Sequence, residues 1–87
     1  MSDLQQQFSA AQASIKTLTE RPENAVMLKL YTLYKQATQG DAIGERPGMT
    51  DYVARAKYDA WAALKGTSNE AAMQQYIKLV NAQIGAA

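Results

Sequence analysis

Residues 24–50 read NAVMLKLYTLYKQATQGDAIGERPGMT, and the change of character at Gly40 decides the fold. Before it, Val26, Leu30, Leu33 and Ala37 recur at helical spacing with no glycine or proline among them, which predicts a helix from about Pro22 or Asn24 to Gln39. From Gly40 to Thr50 come Gly40-Asp41, Gly44 and Pro47-Gly48, punctuation too dense for helix or strand. Asp41 after Gly40 suits an Asx-type turn. A connection of about a dozen residues exceeds the roughly 2 to 8 usual between bundle helices, so it predicts a crossover that lets the helices on either side run in the same direction.

Working outward, Leu4, Phe8, Ala11, Ile15 and Leu18 form one amphipathic stripe, and Thr19-Glu20-Arg21-Pro22 ends that first helix because the residue before proline is pushed out of the α region. A third helix is predicted from about Asp51 to Lys65, with Gly66 as its left-handed stop. Thr67-Ser68-Asn69-Glu70 reads as a capping box in which Thr67 and Glu70 satisfy free amides of a fourth helix striped by Met73, Tyr76, Ile77, Val80 and Ile84. The two short links predict antiparallel pairs, first with second and third with fourth. No segment has a β period, so the expected class is all-α, a four-helix domain spanning 1–87.

At 87 residues the core is thin, since a domain near this size buries only about 60 to 65% of the surface its unfolded chain exposes. Cysteine and histidine are both missing, which excludes disulfides, thiolate nucleophiles, imidazole bases and the usual zinc sites. Nine basic and eight acidic residues leave a net charge of +1, too little for a broad nucleic-acid-binding field. The longest apolar stretches, Ala25–Leu28 and Ala60–Leu64, neither span nor target a membrane. The expectation is a cytoplasmic monomer without stable membrane insertion, metal or cofactor.

Candidate functional residues concentrate on the second helix. Beside its inward series, Met27, Tyr31, Tyr34 and Lys35 line an adjacent face that grades from apolar through phenolic to cationic. The spacing of Tyr31 and Lys35 lets a hydroxyl and an ammonium converge on one phosphate-sized anion, while the rings offer a surface to a base. Lys57 lies one turn before Trp61 on the third helix; Lys16 and Tyr76 stand on the first and fourth. Each of these also fits an ordinary bundle boundary, where lysine stems cover aromatic rings. Trp61 and Leu64 read as core. Carboxylates such as Glu20, Glu23, Asp41 and Glu45 sit at junctions and in the loop, Ser68 has no base, and no phosphate-binding glycine loop ends in Lys-Ser/Thr, so the residues for an active site are wanting. From the residues alone, a helical interaction module whose Tyr-Lys face docks an acidic protein segment stays open as an alternative.

Tyr31-Thr32-Leu33-Tyr34-Lys35-Gln36-Ala37-Thr38, Gly40-Asp41, Glu45-Arg46-Pro47-Gly48-Met49, Lys57-Tyr58-Asp59-Ala60-Trp61 and Leu64-Lys65-Gly66-Thr67-Ser68 together resemble the acyl-CoA-binding protein family. Phe8, Pro22, Met27-Leu28, Met73 and Tyr76-Ile77 fall at compatible spacing, so the resemblance covers nearly the whole chain. It implies an up-down-down-up four-helix bundle that binds long-chain acyl-CoA esters without acting on them, a carrier and buffer that delivers acyl-CoA to enzymes of lipid metabolism. By position it implies that Tyr31, Lys35 and Lys57 meet the ribose 3′-phosphate. Lys16, Tyr34 and Tyr76 would meet other parts of the CoA head group, and Met27 and Leu28 the acyl chain. The chain departs from the family pattern at Tyr58, where tryptophan is frequent.

Overall fold

A computed structural model describes residues 2–86. It contains four helices: α1 (Ser2–Ile15), α2 (Asn24–Gln39), α3 (Tyr52–Ala62) and α4 (Asn69–Ala86). Among the described residues there is no strand.

The helix ends follow local chemistry, and three of them differ from the sequence reading. α1 stops a turn early, before Leu18. Thr17 donates both its amide (3.0 Å) and its hydroxyl (2.7 Å) to the Ser14 carbonyl, the local competition with helical bonding that hydroxyl residues offer. α2 runs to Gln39 as expected and ends at Gly40, whose φ of 83° suits a residue without a Cβ. α3 begins after Asp51, whose carboxylate accepts from the Ala54 amide. It ends at Ala62, three residues before Lys65, because the chain tightens: Leu64 donates to the Trp61 carbonyl and Lys65 to that of Ala62. Gly66, at φ 90°, makes the left-handed stop. The cap of α4 is Ser68, not Thr67: its hydroxyl accepts from the Ala71 amide at 3.0 Å. With the cap one residue later, Glu70 is out of register for the expected box.

Shared hollows and bonds set the helix directions. Asp3 and Leu4 face Glu70 and Gln74, while Ser14 faces Ile77 and Asn81, so α1 and α4 run the same way. Gln36 bonds the Thr67 carbonyl just ahead of α4, and Glu23 shares a hollow with Gln83, so α2 and α4 run oppositely. Met27 faces Tyr52 and Val53, and Lys35 meets Trp61, so α2 and α3 run in the same direction. The order is up-down-down-up, as expected from the long crossover. The packed pairs, however, are α1 with α4, α2 with α4, and α2 with α3. Helices joined by the short links are opposed in direction, yet among the described residues their backbones do not pack together.

The core is a layer around α4. Phe8, Ala11, Leu30, Leu33, Ala37, Ala72, Tyr76 and Val80 form one buried cluster, edged by Ile15, Val26, Leu64, Met73, Ile77 and Leu79. The Phe8 ring packs edge-on to Tyr76 at 5.1 Å and stacks on Tyr34 at 6.0 Å, linking α1 to both α4 and α2. Ile84 stands 41% exposed, so the α4 stripe leaves the core before its last turn.

One polar knot, from buried Gln36 to exposed Asp41, ties the loop to this core. Gln36, fully buried, donates from Nε2 to Asp41 and to the Thr67 carbonyl, both at 2.9 Å. The same Asp41 oxygen accepts from the Gly66 amide at 2.9 Å. Asp41 is thus a cross-link between the start of the crossover and the α3–α4 link, not the local turn former its position suggested. The Gly66 amide, then Gln36, hold its carboxyl below the ordinary range, since both bond the charged form.

Candidate functional site

The face of α2 that does not enter the core meets α3 across a long cleft. Because the two helices are parallel, residues a turn apart on α2 face residues a turn apart on α3 in step. Tyr31, Lys35, Lys57 and Trp61 therefore gather around one depression of about 450 Å³, with Pro47, Asp51, Val53, Ala54 and Tyr58 completing its wall. The Lys35 ammonium lies 4.9 Å from the Trp61 ring centroid, and the Lys57 ammonium 5.0 Å from that of Tyr31. Each cation rests on the negative face of a ring contributed by the opposite helix.

Neither ammonium is neutralised by an ion pair among the described residues, whose single salt bridge is Arg46–Asp59. The Asp51 carboxylate lies in the same wall and serves as the α3 cap. The depression thus offers two cations, one phenol and two ring faces to an anionic, ring-bearing ligand.

The rings are fixed from below by the crossover. The Trp61 indole N–H donates to the Gly40 carbonyl at 2.8 Å, Tyr58 donates its hydroxyl to Gly44 at 3.0 Å, and Arg55 reaches the Pro47 carbonyl. The bidentate pair of Arg46 with Asp59, at 2.8 and 2.7 Å, closes the loop onto α3. Arg46 holds the Asp59 carboxyl below its ordinary range, and the bond raises Arg46 in turn.

Toward the N-terminal ends of α2 and α3 the depression continues, through Tyr31, Val53 and Lys57, into an apolar groove of about 590 Å³. Met27, Leu28, Tyr52 and Ala56 line it, and Arg21, bonded to Asn24 at 2.8 Å, stands at its edge. A polar basin opening into an apolar trough suits a ligand with an anionic head and a hydrocarbon tail.

Of the eight residues singled out in the sequence, five lie here: Tyr31, Lys35 and Lys57 in the basin, Met27 and Leu28 in the groove. Three do not line either hollow. Tyr34, 40% exposed, stacks on Phe8. Tyr76 lies buried against the same ring, and burial, then the nearby Tyr34, raises its phenol above the ordinary range. Lys16 is exposed in the turn after α1. Sequence reading missed Tyr52, Val53 and Ala56 as groove residues. Steps of four from Tyr52 to Ala56 and from Val53 to Lys57, and of three from Val53 to Ala56, place them on one face of α3, the signal that was available.

The fold and cleft define a class: a four-helix ligand-binding protein with a cationic-aromatic basin and an apolar groove between two parallel helices. The acyl-CoA-binding protein family model matches residues 5–80. The chain is 47% identical over 75 residues to the acyl-CoA-binding protein homolog of Drosophila melanogaster, covering 86% of this chain and 87% of that protein. It is similar to the crystal structure of acyl-CoA-binding protein 2 of Oryza sativa, with TM-score 0.89, 41% identity, and 95% and 92% of the two chains covered. The solution structure of the yeast acyl-coenzyme A binding protein aligns with TM-score 0.71 and 40% identity over 91% of this chain and 92% of that one. The chain belongs to the acyl-CoA-binding protein family. It also matches enoyl-CoA delta isomerase 2 of Rattus norvegicus, at 47% identity, but spans only 20% of that protein, so the match carries nothing about isomerase chemistry.

Proposed function

We propose that this protein binds long-chain acyl-CoA esters in the α2–α3 cleft and acts as a non-catalytic carrier and buffer, handing them to enzymes that use acyl-CoA. The single observation that carries the assignment is the continuity of the basin holding Lys35, Lys57 and Tyr31 with the groove lined by Met27 and Leu28. In this reading the two ammoniums and the Tyr31 hydroxyl clamp the 3′-phosphate, and the chain lies along the groove. Tyr34, Tyr76 and Lys16 serve the rest of the head group from the side of α1 and α4. No group of carboxylates fit to hold a metal occurs among the described residues, and no helix there is long and apolar enough to cross a membrane. The net charge of +1 is too small for a broad nucleic-acid-binding field, and the carrier role proposed here is that of a cytoplasmic monomer.

The test is a calorimetric series with free CoA, palmitate and acyl-CoA esters of increasing length. Each buried methylene contributes about 0.8 kcal/mol, so affinity should rise about fourfold per carbon until the groove is full. Palmitate binding as tightly as palmitoyl-CoA would make the protein a fatty-acid carrier, and chain-independent binding would reduce the site to a nucleotide pocket.

A further inference from the structure

The chain carries sulfur in one form only. It has four methionines and no cysteine, so two-electron oxidation by peroxides, which elsewhere falls first on thiolates, falls here on thioethers. Met1 lies outside the described residues, and the other three stand in different surroundings. Met49 is 77% exposed in the crossover and lines neither the basin nor the groove. Met73 packs against the core cluster. Met27 is half-buried in the groove wall beside Leu28, open to solvent when the groove is empty and covered when an alkyl chain fills it.

A sulfoxide has a different consequence at each place. At Met49 the added oxygen is hydrated and belongs to no site. At Met73 it would enter the core. At Met27 it meets water while the groove is empty, so the fold tolerates it. An incoming alkyl chain would strip that water and offer no hydrogen bond in return. The flexible apolar thioether that suits a hydrocarbon chain thus becomes a polar group that opposes it.

We propose that Met27 is a reversible oxidation site through which hydroperoxides lower the affinity of the empty protein for acyl chains. The inference rests on the acyl-CoA reading above. The Met27 sulfur attacks the outer peroxide oxygen, and the S–O bond forms as the O–O bond breaks. The peroxide proton passes to the departing oxygen, which leaves as water or an alcohol; sulfur is oxidised by two electrons and the peroxide reduced. A bound acyl chain shields the sulfur, so the oxidised pool is drawn from empty protein. Methionine sulfoxide reductases reverse the change with a dithiol as reductant, which becomes a disulfide as the oxygen leaves as water.

The experiment exposes the intact protein to hydrogen peroxide, either empty, with free CoA, or with palmitoyl-CoA at about a hundred times its Kd. Mass spectrometry maps the oxygen gained at each methionine, and calorimetry titrates the product. Palmitoyl-CoA should slow oxidation of Met27 at least about tenfold, free CoA should not, and Met49 should oxidise at one rate in all three. Protein oxidised at Met27 should bind palmitoyl-CoA about tenfold more weakly and free CoA as before. Methionine sulfoxide reductases with dithiothreitol should restore it. Met49→Leu should lose the same factor on peroxide treatment, whereas Met27→Leu, whatever its own affinity, should lose none. Oxidation of Met27 that palmitoyl-CoA does not slow overturns the proposal, as does undiminished palmitoyl-CoA affinity in protein oxidised there. Equal losses in Met27→Leu and the native protein also overturn it, by assigning the effect to another methionine. Failure of the untreated protein to bind palmitoyl-CoA is a different result, since it removes the acyl-CoA reading itself.

Discussion

The two faces of α2 are held in opposite ways. Toward α4 it buries Leu30, Leu33, Gln36 and Ala37, and the contact is apolar apart from one knot. Toward α3 it leaves Tyr31 exposed, and α3 itself buries only Trp61. What secures α3 is polar: two cations on rings, three side-chain bonds to loop carbonyls and one exposed ion pair. The α1–α2–α4 layer therefore supplies stability, while the α2–α3 cleft leaves apolar and charged surface open where the proposed ligand would lie. A site cannot spend the same surface twice.

The sharpest way to break this division is a core truncation. Leu33 has no exposed surface, and Leu33→Ala should cost about 2 to 5 kcal/mol, lowering the melting temperature by at least about 8 °C. Calorimetric melting measures it, and the fraction still folded should bind acyl-CoA with unchanged affinity. A loss of affinity in that folded fraction would show that core and cleft are one cooperative unit.

The reciprocal substitution comes next. Lys57→Ala removes a charged contact that contributes roughly 1.5 to 3 kcal/mol, so acyl-CoA binding should weaken about ten- to a hundredfold. Ligand-free stability should fall by no more than about 1 kcal/mol, the size of an exposed cation–ring contact. An ester of dephospho-CoA should bind the native protein with a similar deficit and the variant with little further loss. Deficits that simply add would mean that Lys57 does not meet the 3′-phosphate.

The smallest effect concerns the knot that couples the two regions. Asp41 titrates below its ordinary value in the folded protein, held there by Gly66 and Gln36. Its contribution is complete above the unfolded carboxylate value near about 3.9 and is lost as pH falls through the lowered folded value. Asp59, lowered by Arg46, adds in the same direction. Denaturant melts from neutral pH down to that window should show acid destabilisation, and Asp41→Asn should make its acid limb shallower. An equal limb in the variant would assign the acid sensitivity to other carboxylates.

Helix α2 and the crossover were legible in residues 24–50, and the other helices in the segments on either side, because hydrophobic period and glycine-proline punctuation are local properties of the chain. So was the face shared by Met27, Tyr31 and Lys35, since i, i+4 spacing on one helix sets it before any packing, whereas Leu28 entered only through the family resemblance. Where the reading failed, a competing local bond won: Thr17 closing back on Ser14, and Ser68 taking the cap from Thr67.

Chain alone thus determined four helices, an inward stripe for α1, α2 and α4 and a long link that lets α2 and α3 run in the same direction. Only the tertiary structure decided that those two lie side by side in step, bringing Lys57 over Tyr31 and Lys35 over Trp61. It alone left Tyr34 and Tyr76 against Phe8, outside the cleft, and turned Asp41 from an expected turn former into a bridge to Gly66. The physical reason is range: helical period and capping act over a few residues, whereas the partner a side chain meets depends on which apolar stripes bury one another, a choice made by the whole chain at once.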